Sequence, residues 1–312
     1  MADATKIETA IAALLPRCTL RAPSLIVTIL GDAIAPHGGS FWIGSLITLL
    51  APFGVNERLV RTATFRLTKE DWLSATQIGR RSYYSLTASG LRRFEQAFHR
   101  VYESSPQAWD GSWSLALVDP AGLDAETRDR VRQELSWAGF GMAAPSVFAH
   151  TALPATEIRR LIDGLGISDR TVVMSARLDL TNPSNHDGSA AAFVHRCWDL
   201  DRLATDYREF LDLFRPLWQV LRSESGISPE HAFVARTALI HEYRRITLRD
   251  PQLPAALHSP EWEGTAARLL TRNLYRALEA QAEAYIMAEV ETADGPLPEA
   301  AFYYADRFGG LR

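Results

Sequence analysis

Glu57-Arg58-Leu59-Val60-Arg61-Thr62-Ala63-Thr64-Phe65-Arg66-Leu67, followed by Gly79-Arg80-Arg81-Ser82-Tyr83-Tyr84-Ser85-Leu86-Thr87, is the stretch on which the reading of the N-terminal fold turns. Asn56 can cap a helix running to about Asp71. At about 100° per residue, with Arg58 at zero, Leu59, Ala63, Leu67 and Val60 fall between about 100° and 200° and form an apolar face. Arg61, Phe65, Lys69, Thr62 and Arg66 fall between about 300° and 80°, so the opposite face is basic.

Working outward, Trp72 to Ile78 is extended in character, Gly79-Arg80-Arg81 is a turn and Ser82 to Leu86 is a second strand, which together predict a hairpin. Thr87 then caps a helix from Ala88 to about Glu103. Upstream, Ser24 precedes Leu25, Ile26, Ile29 and Leu30 at helical spacing until Pro36-His37-Gly38-Gly39, and Ser40 precedes a second helix from Phe41 to Leu50 that Pro52 and Gly54 terminate. Three helices and a hairpin with a basic tip are the parts of a winged helix-turn-helix, here over residues 20–104. In such a fold the third helix enters the major groove and the wing lies along the backbone. Arg58, Arg61, Thr62 and Arg66 are therefore the candidates for base or phosphate contact, and Lys69, Arg80 and Arg81 for phosphate contact. Phe65 could touch a thymine methyl or pack on a neighbouring element.

The charge distribution supports this placement. The 312 residues carry a net charge of -4, yet residues 58–100 hold nine Arg or Lys against three acids, a local excess of +6. Such a basic island in an acidic chain is an electrostatic footprint for a polyanion. Composition is that of an ordinary globular protein, 47% hydrophobic and 22% charged. Cys18 and Cys197 belong to no C-x-x-C and read as reduced thiols. Residues 33–56 lack charged side chains, but prolines and glycines confine the apolar part to about Phe41–Phe53, too short for the roughly 20 residues of a bilayer span. No secretory signal opens the chain, so the expectation is a cytoplasmic protein without membrane association.

Downstream, Ser104-Ser105-Pro106 marks a boundary. Trp113 to Val118 reads as a strand, Ala125 to Ala138 as a helix, Ser146 to His150 as a short strand, Thr156 to Leu165 as a helix and Thr171 to Ala176 as a strand, which suggests a ferredoxin-like α+β module over residues 105–181. After the linker Asn182-Pro183-Ser184-Asn185, residues 182–312 are mostly helical, with long helices over Leu200–Phe214, Pro229–Leu248 and Glu261–Met287. The expected class is thus an α+β multidomain protein with a helical C-terminal domain.

Enzymatic signatures are weak. His241-Glu242-Tyr243-Arg244-Arg245 begins like a zinc-binding helix but puts Arg where the second His must stand. No phosphate-binding glycine loop or nucleophile elbow is present, and no catalytic residue, metal ligand or cofactor is assigned. A protein-interaction module with a basic hairpin remains as an alternative.

The two quoted stretches, with Trp109-Asp110-Gly111-Ser112-Trp113, Ser136-Trp137-Ala138-Gly139-Phe140-Gly141, His241 to Ile246 and Arg249-Asp250-Pro251-Gln252-Leu253-Pro254, resemble the PaaX family of transcriptional repressors of phenylacetate catabolism, over roughly Leu25 to Leu278. The resemblance implies a homodimeric, non-enzymatic repressor that leaves its double-stranded DNA operator when an aryl-acetyl-CoA, typically phenylacetyl-CoA, binds. It also implies a middle domain similar to the small nuclease of CRISPR adaptation, in which a strand-end Asp binds metal; Asp119 holds that place and makes a metal-dependent nuclease the other alternative, though an Asp before Pro is commonly a turn residue. An acyl-CoA site should pair Arg with phosphate and aromatics with rings, which makes His241, Tyr243, Arg244, Arg245, Arg249 and Trp262 the effector candidates.

Overall fold

Thr5 and Glu8 cap each other reciprocally and start α1 (Lys6–Leu14), whose Ile7, Ile11 and Leu14 recur at helical spacing and are buried. The computed structural model of the chain describes residues 5–103, 109–151, 153–177, 189–224 and 226–311. Helix α2 (Ala22–Ile29) starts at Ala22, with Arg21 rather than Ser24 at its N-cap, and takes Pro23 in its first turn, where a proline's missing N–H would have had no acceptor. It runs on as one π turn, Leu30–Ile34, and the chain reverses at Gly38, with φ +86°. The helix expected from Phe41 begins later. Ser40–Trp42 is a strand, β1, because Phe41 and Trp42 align with Tyr84 and Tyr83, and α3 follows at Ile43–Leu50.

Helix α4 (Glu57–Lys69) opens with Asn56 Oδ1 accepting the Leu59 N–H at 3.0 Å. Strands β2 (Leu73–Ile78) and β3 (Arg81–Leu86) form the expected hairpin, in a sheet of order β1-β3-β2. Its two-residue loop has Gly79 first, at φ +61°, as a II′ turn requires. Thr87 caps α5 (Ala88–Tyr102).

The next strands and helices are β4 (Ser112–Val118), α6 (Ala125–Trp137), β5 (Gly141–Ala144), β6 (Val147–His150), α7 (Ala155–Leu165) and β7 (Thr171–Arg177). They make one antiparallel sheet of order β5-β6-β4-β7, with α6 and α7 contributing Val131, Leu135, Ile158 and Ile162 to its core. Strand β5 is absent from the sequence reading: Gly-Met-Ala-Ala has no β-branched residue and carries no strand signal of its own. The helices α8 (Ser189–Cys197), α9 (Leu200–Ser223), α10 (Pro229–Thr247) and α11 (Glu263–Glu289) follow, then the two-stranded β8 (Glu291–Thr292) and β9 (Gly295–Pro296). Helix α9 outruns its expected end at Phe214, continuing through Pro216 with Leu217 still buried.

The chain divides into two compact units, residues 1–104, 207–245 and 264–312 in the first, and 105–206 and 246–263 in the second. Residues 182–312, expected as one helical domain, contribute to both. The linker Asn182–Asn185 and the boundaries at 104/105 and 181/182 lie outside the described residues.

Within the first unit, the π turn directs Asp32 into a buried polar network. Its Oδ1 accepts from Tyr102 at 2.6 Å, Tyr275 at 3.1 Å and Arg307 at 3.0 Å, and its Oδ2 faces Arg236 Nε at 3.0 Å. Arg236 also donates to Glu283 at 2.7 Å, which accepts from Tyr304 at 2.8 Å and lies 3.0 Å from His37 Nε2. Both arginines are buried completely.

In the second unit, Gly141 faces Trp198 and Cys197. An added Cβ would sit 2.5 Å from the Trp198 ring and 2.6 Å from Cys197 Cβ, so no side chain fits without displacing α8 or the indole. Gly141→Val is expected to cost about 1–3 kcal/mol by overpacking, read as a lower urea midpoint.

Candidate nucleic-acid interface

Helix α4 is built to present charge on one side. Val60, Ala63, Thr64 and Leu67 are buried, while Arg58, Arg61, Thr62, Phe65, Arg66 and Lys69 are exposed. One residue departs from the expected apolar face: Leu59 is 48% exposed, and Thr64 takes a place in the core beside Val60. Glu57 at the N-terminus and Arg66 and Lys69 in the last turn both suit the helix dipole.

The cations on this face differ in how they are held. Arg61 bonds Glu57 at 2.8 Å and Arg66 bonds Glu70 at 2.7 Å, both one turn away. Such exposed pairs are screened by solvent and hold only weakly, so a phosphate or base can displace the glutamates. Arg58 makes no ion pair among the described residues. Thr62 donates its hydroxyl to the Arg58 carbonyl at 2.8 Å, and Lys69 lies 5.5 Å from the Phe65 ring centroid. Phe65 itself is 61% exposed, so it does not pack into the core.

On the hairpin, Arg80 occupies the second loop position and is exposed. Arg81 is tethered: its guanidinium lies 4.5 Å from the Trp42 ring centroid and bonds Glu291 at 2.7 Å. Neither partner was foreseeable, Glu291 being 210 residues away in the chain.

The six effector candidates divide between the two units. His241, Tyr243, Arg244 and Arg245 belong to the first unit, Arg249 and Trp262 to the second. His241 is buried, and its Nε2 donates to the Thr19 carbonyl at 3.2 Å, which leaves Nδ1 to accept from Thr28 at 2.9 Å. Burial, then the Arg244 charge, pushes its pKa down to about 4, so it stays neutral and structural. Tyr243 is buried against Phe210, ring centroids 5.6 Å apart, and Arg245 bonds Glu242 at 2.7 Å. Burial lowers the pKa of Arg244, whose Nε has no hydrogen-bond partner. In the second unit Arg249 bonds Asp206 at 2.9 Å and Trp262 stacks on His258. Asp119, just past β4, accepts the Ala121 N–H at 2.9 Å in a turn. No cluster of three or more potential metal ligands occurs among the described residues, and none of their helices is long and apolar enough to cross a membrane.

Three family models cover most of the chain: PaaX-like protein at residues 21–90, the PaaX protein central Cas2-like domain at 106–188, and the PaaX-like protein C-terminal domain at 198–288. The transcriptional repressor PaaX of Escherichia coli strain K12 is 39% identical over 289 residues, 92% of this chain and 90% of that protein. This chain belongs to the PaaX family. Membership gives the segments their identities: the PaaX-like N-terminal segment contains α2 to the start of α5, the Cas2-like segment contains β4 to β7, and the C-terminal segment contains α9, α10 and nearly all of α11. An uncharacterised protein of Mycobacterium tuberculosis shares the fold at 22% identity, with a TM-score of 0.50 over 77% of this chain and 89% of that one.

Proposed function

We propose that the protein is a DNA-binding transcriptional repressor whose first unit contains a winged helix-turn-helix. The observation that carries this reading is the exposed basic face of α4 beside a hairpin with arginine at its tip, in a PaaX-family chain. Arg58, Arg61, Thr62 and Arg66 contact bases or phosphates, and Lys69, Arg80 and Arg81 contact the backbone. The β4-α6-β5-β6-α7-β7 module is ferredoxin-like, a reading supported by its element order and by the antiparallel order β5-β6-β4-β7.

The repressor acts in the cytoplasm as a homodimer whose recognition helices meet half-sites about 34 Å apart. A dimer seam along β7 is supported by its edge position and by its exposed Val172 and Met174. It controls an aromatic-acid operon of the phenylacetate type and leaves its operator when an aryl-acetyl-CoA binds. Release requires that the thioester prefer the form with weaker DNA affinity, since equal binding to both shifts nothing. Asp119 closes a turn, and catalysis forms no part of this function.

A gel shift on DNA from upstream of the protein's own gene, at fixed salt, tests the reading. A specific complex dissociated by phenylacetyl-CoA, and not by free phenylacetate, is the expected result. Absence of any sequence-specific duplex binding would overturn it.

A further inference from the structure

The second unit contains a cleft of about 330 Å³ that none of the DNA-binding residues lines. Its size lies at the lower end of the roughly 300–1,000 Å³ of small-molecule sites. The walls are Phe140, Met142, Phe148 and Trp198, an apolar and mainly aromatic surface. Trp198 is fixed in place: its indole N–H donates to the Gly139 carbonyl at 3.2 Å, its ring stacks on Trp113, and the missing side chain of Gly141 gives it room. Three arginines, Arg132, Arg202 and Arg249, share the lining with Asp199 and Asp206. Asp199 accepts the Arg202 N–H at 3.0 Å and so caps α9. Asp206 is shared, 2.9 Å from Arg249 and 3.6 Å from Arg202, while Arg132 pairs with Asp129 on its own helix.

Two sequence landmarks more than a hundred residues apart meet here. Ser136 and Phe140 come from the Ser136–Gly141 stretch, and Arg249 and Pro251 from the Arg249–Pro254 stretch. An aromatic-walled hollow with three arginines suits a small molecule with a flat apolar end and several negative charges, because rings stack on rings and guanidinium pairs with phosphate.

We propose that this cleft is the effector site: the aromatic acyl end of the thioester lies against Phe140, Phe148 and Trp198, and Arg132, Arg202 and Arg249 take its phosphates. The assignment rests on the effector reading of the proposed function and adds to it a place and a set of residues. It selects Arg249 from the six effector candidates and leaves His241, Tyr243, Arg244 and Arg245 as scaffold. Asp206 then competes with the ligand for Arg249, which gives the two partners of that ion pair opposite expected effects.

Isothermal titration of the full-length protein with phenylacetyl-CoA, with coenzyme A and phenylacetate as separate probes, tests the site. The thioester should bind more tightly than either fragment. Arg249→Ala, at a side chain 57% exposed, should weaken thioester binding about 10- to 100-fold. Met142→Trp, which fills the cleft from a position 44% exposed, should abolish it, while Asp206→Asn should tighten it several-fold. Circular dichroism melting of each variant checks that the fold is kept. Unchanged thioester affinity in both Arg249→Ala and Met142→Trp would move the site elsewhere and leave the effector reading standing. Loss of affinity in Asp206→Asn equal to that in Arg249→Ala would mark the pair as scaffolding and overturn the assignment. No thioester binding by the unsubstituted protein would overturn the effector reading and the site together.

Discussion

Replacing Asp32 by Ala is expected to lower the free energy of unfolding by about 3–5 kcal/mol, one of the largest losses for any single substitution in this chain. The reason is what remains behind. Arg236 and Arg307 are completely buried, and Asp32 lies at 3.0 Å from each, while Tyr102 and Tyr275 also donate to it. Removing the carboxylate leaves two guanidinium charges in a dry interior with one fewer anion. A buried charge without its partner costs far more than the intact pair contributes. Arg236 Nε and Nη2 and Arg307 Nε already lack hydrogen-bond partners, so neither arginine has spare acceptors to turn to. Urea unfolding at neutral pH measures the loss directly. Arg307→Met on the Asp32→Ala background should recover part of it, because the second change removes a charge that the first orphaned. A loss below about 1 kcal/mol would mean that water reaches these groups.

The same network predicts a response to acid. Burial alone would raise the Glu283 carboxyl, but the Arg236 charge and the hydrogen bond and charge of His37 outweigh it and hold the pKa down at about 2. A carboxylate with a depressed folded-state pKa stabilises fully above its unfolded value, near 4.5, and loses that contribution as pH falls toward 2. Unfolding midpoints should therefore drop across this window, and Glu283→Gln should flatten the slope there at a cost to stability near neutrality.

How much of this was legible in the sequence depends on the range of the interaction involved. Helix α4 was readable because its signals are local: Asn56 caps it, and Val60, Ala63 and Leu67 recur on one face. The hairpin was readable because Gly79 sits between two alternating runs. Strand β5 was not, since Gly141–Ala144 is a strand only by pairing with β6. The Asp32 network was also invisible. Arg236 and Arg307 lie far along the chain from Asp32, and a buried arginine has the same letter as a solvated one. The resemblance singled out the Ser136–Gly141 and Arg249–Pro254 stretches but not their meeting place, because Phe140 and Arg249 face one cleft only after folding.

Converting Arg58, Arg61, Arg66, Arg80 and Arg81 to Ala together is expected to abolish specific duplex binding while leaving the fold intact, since all five side chains are exposed. The individual contributions should differ in kind. On α4, an arginine that reads a base edge costs about 1–3 kcal/mol when removed and relaxes specificity at that one position. Arg58, with no ion pair to break among the described residues, should show the largest single effect. Arg61 and Arg66 must leave Glu57 and Glu70, so Glu57→Gln and Glu70→Gln should tighten DNA binding slightly. The wing separates its two arginines more sharply. Arg81 is occupied by Glu291 and Trp42, whereas Arg80 stands exposed in the loop, so Arg80→Ala should weaken all DNA sequences more than Arg81→Ala does. Removing an arginine that neutralises a phosphate should reduce the slope of log affinity against log salt by about 0.9, whereas removing one that reads a base edge leaves that slope nearly unchanged. Titrations at several salt concentrations therefore sort the five residues by what they touch. Unchanged operator affinity in the fivefold variant would remove α4 and the hairpin from the interface and overturn the winged-helix reading.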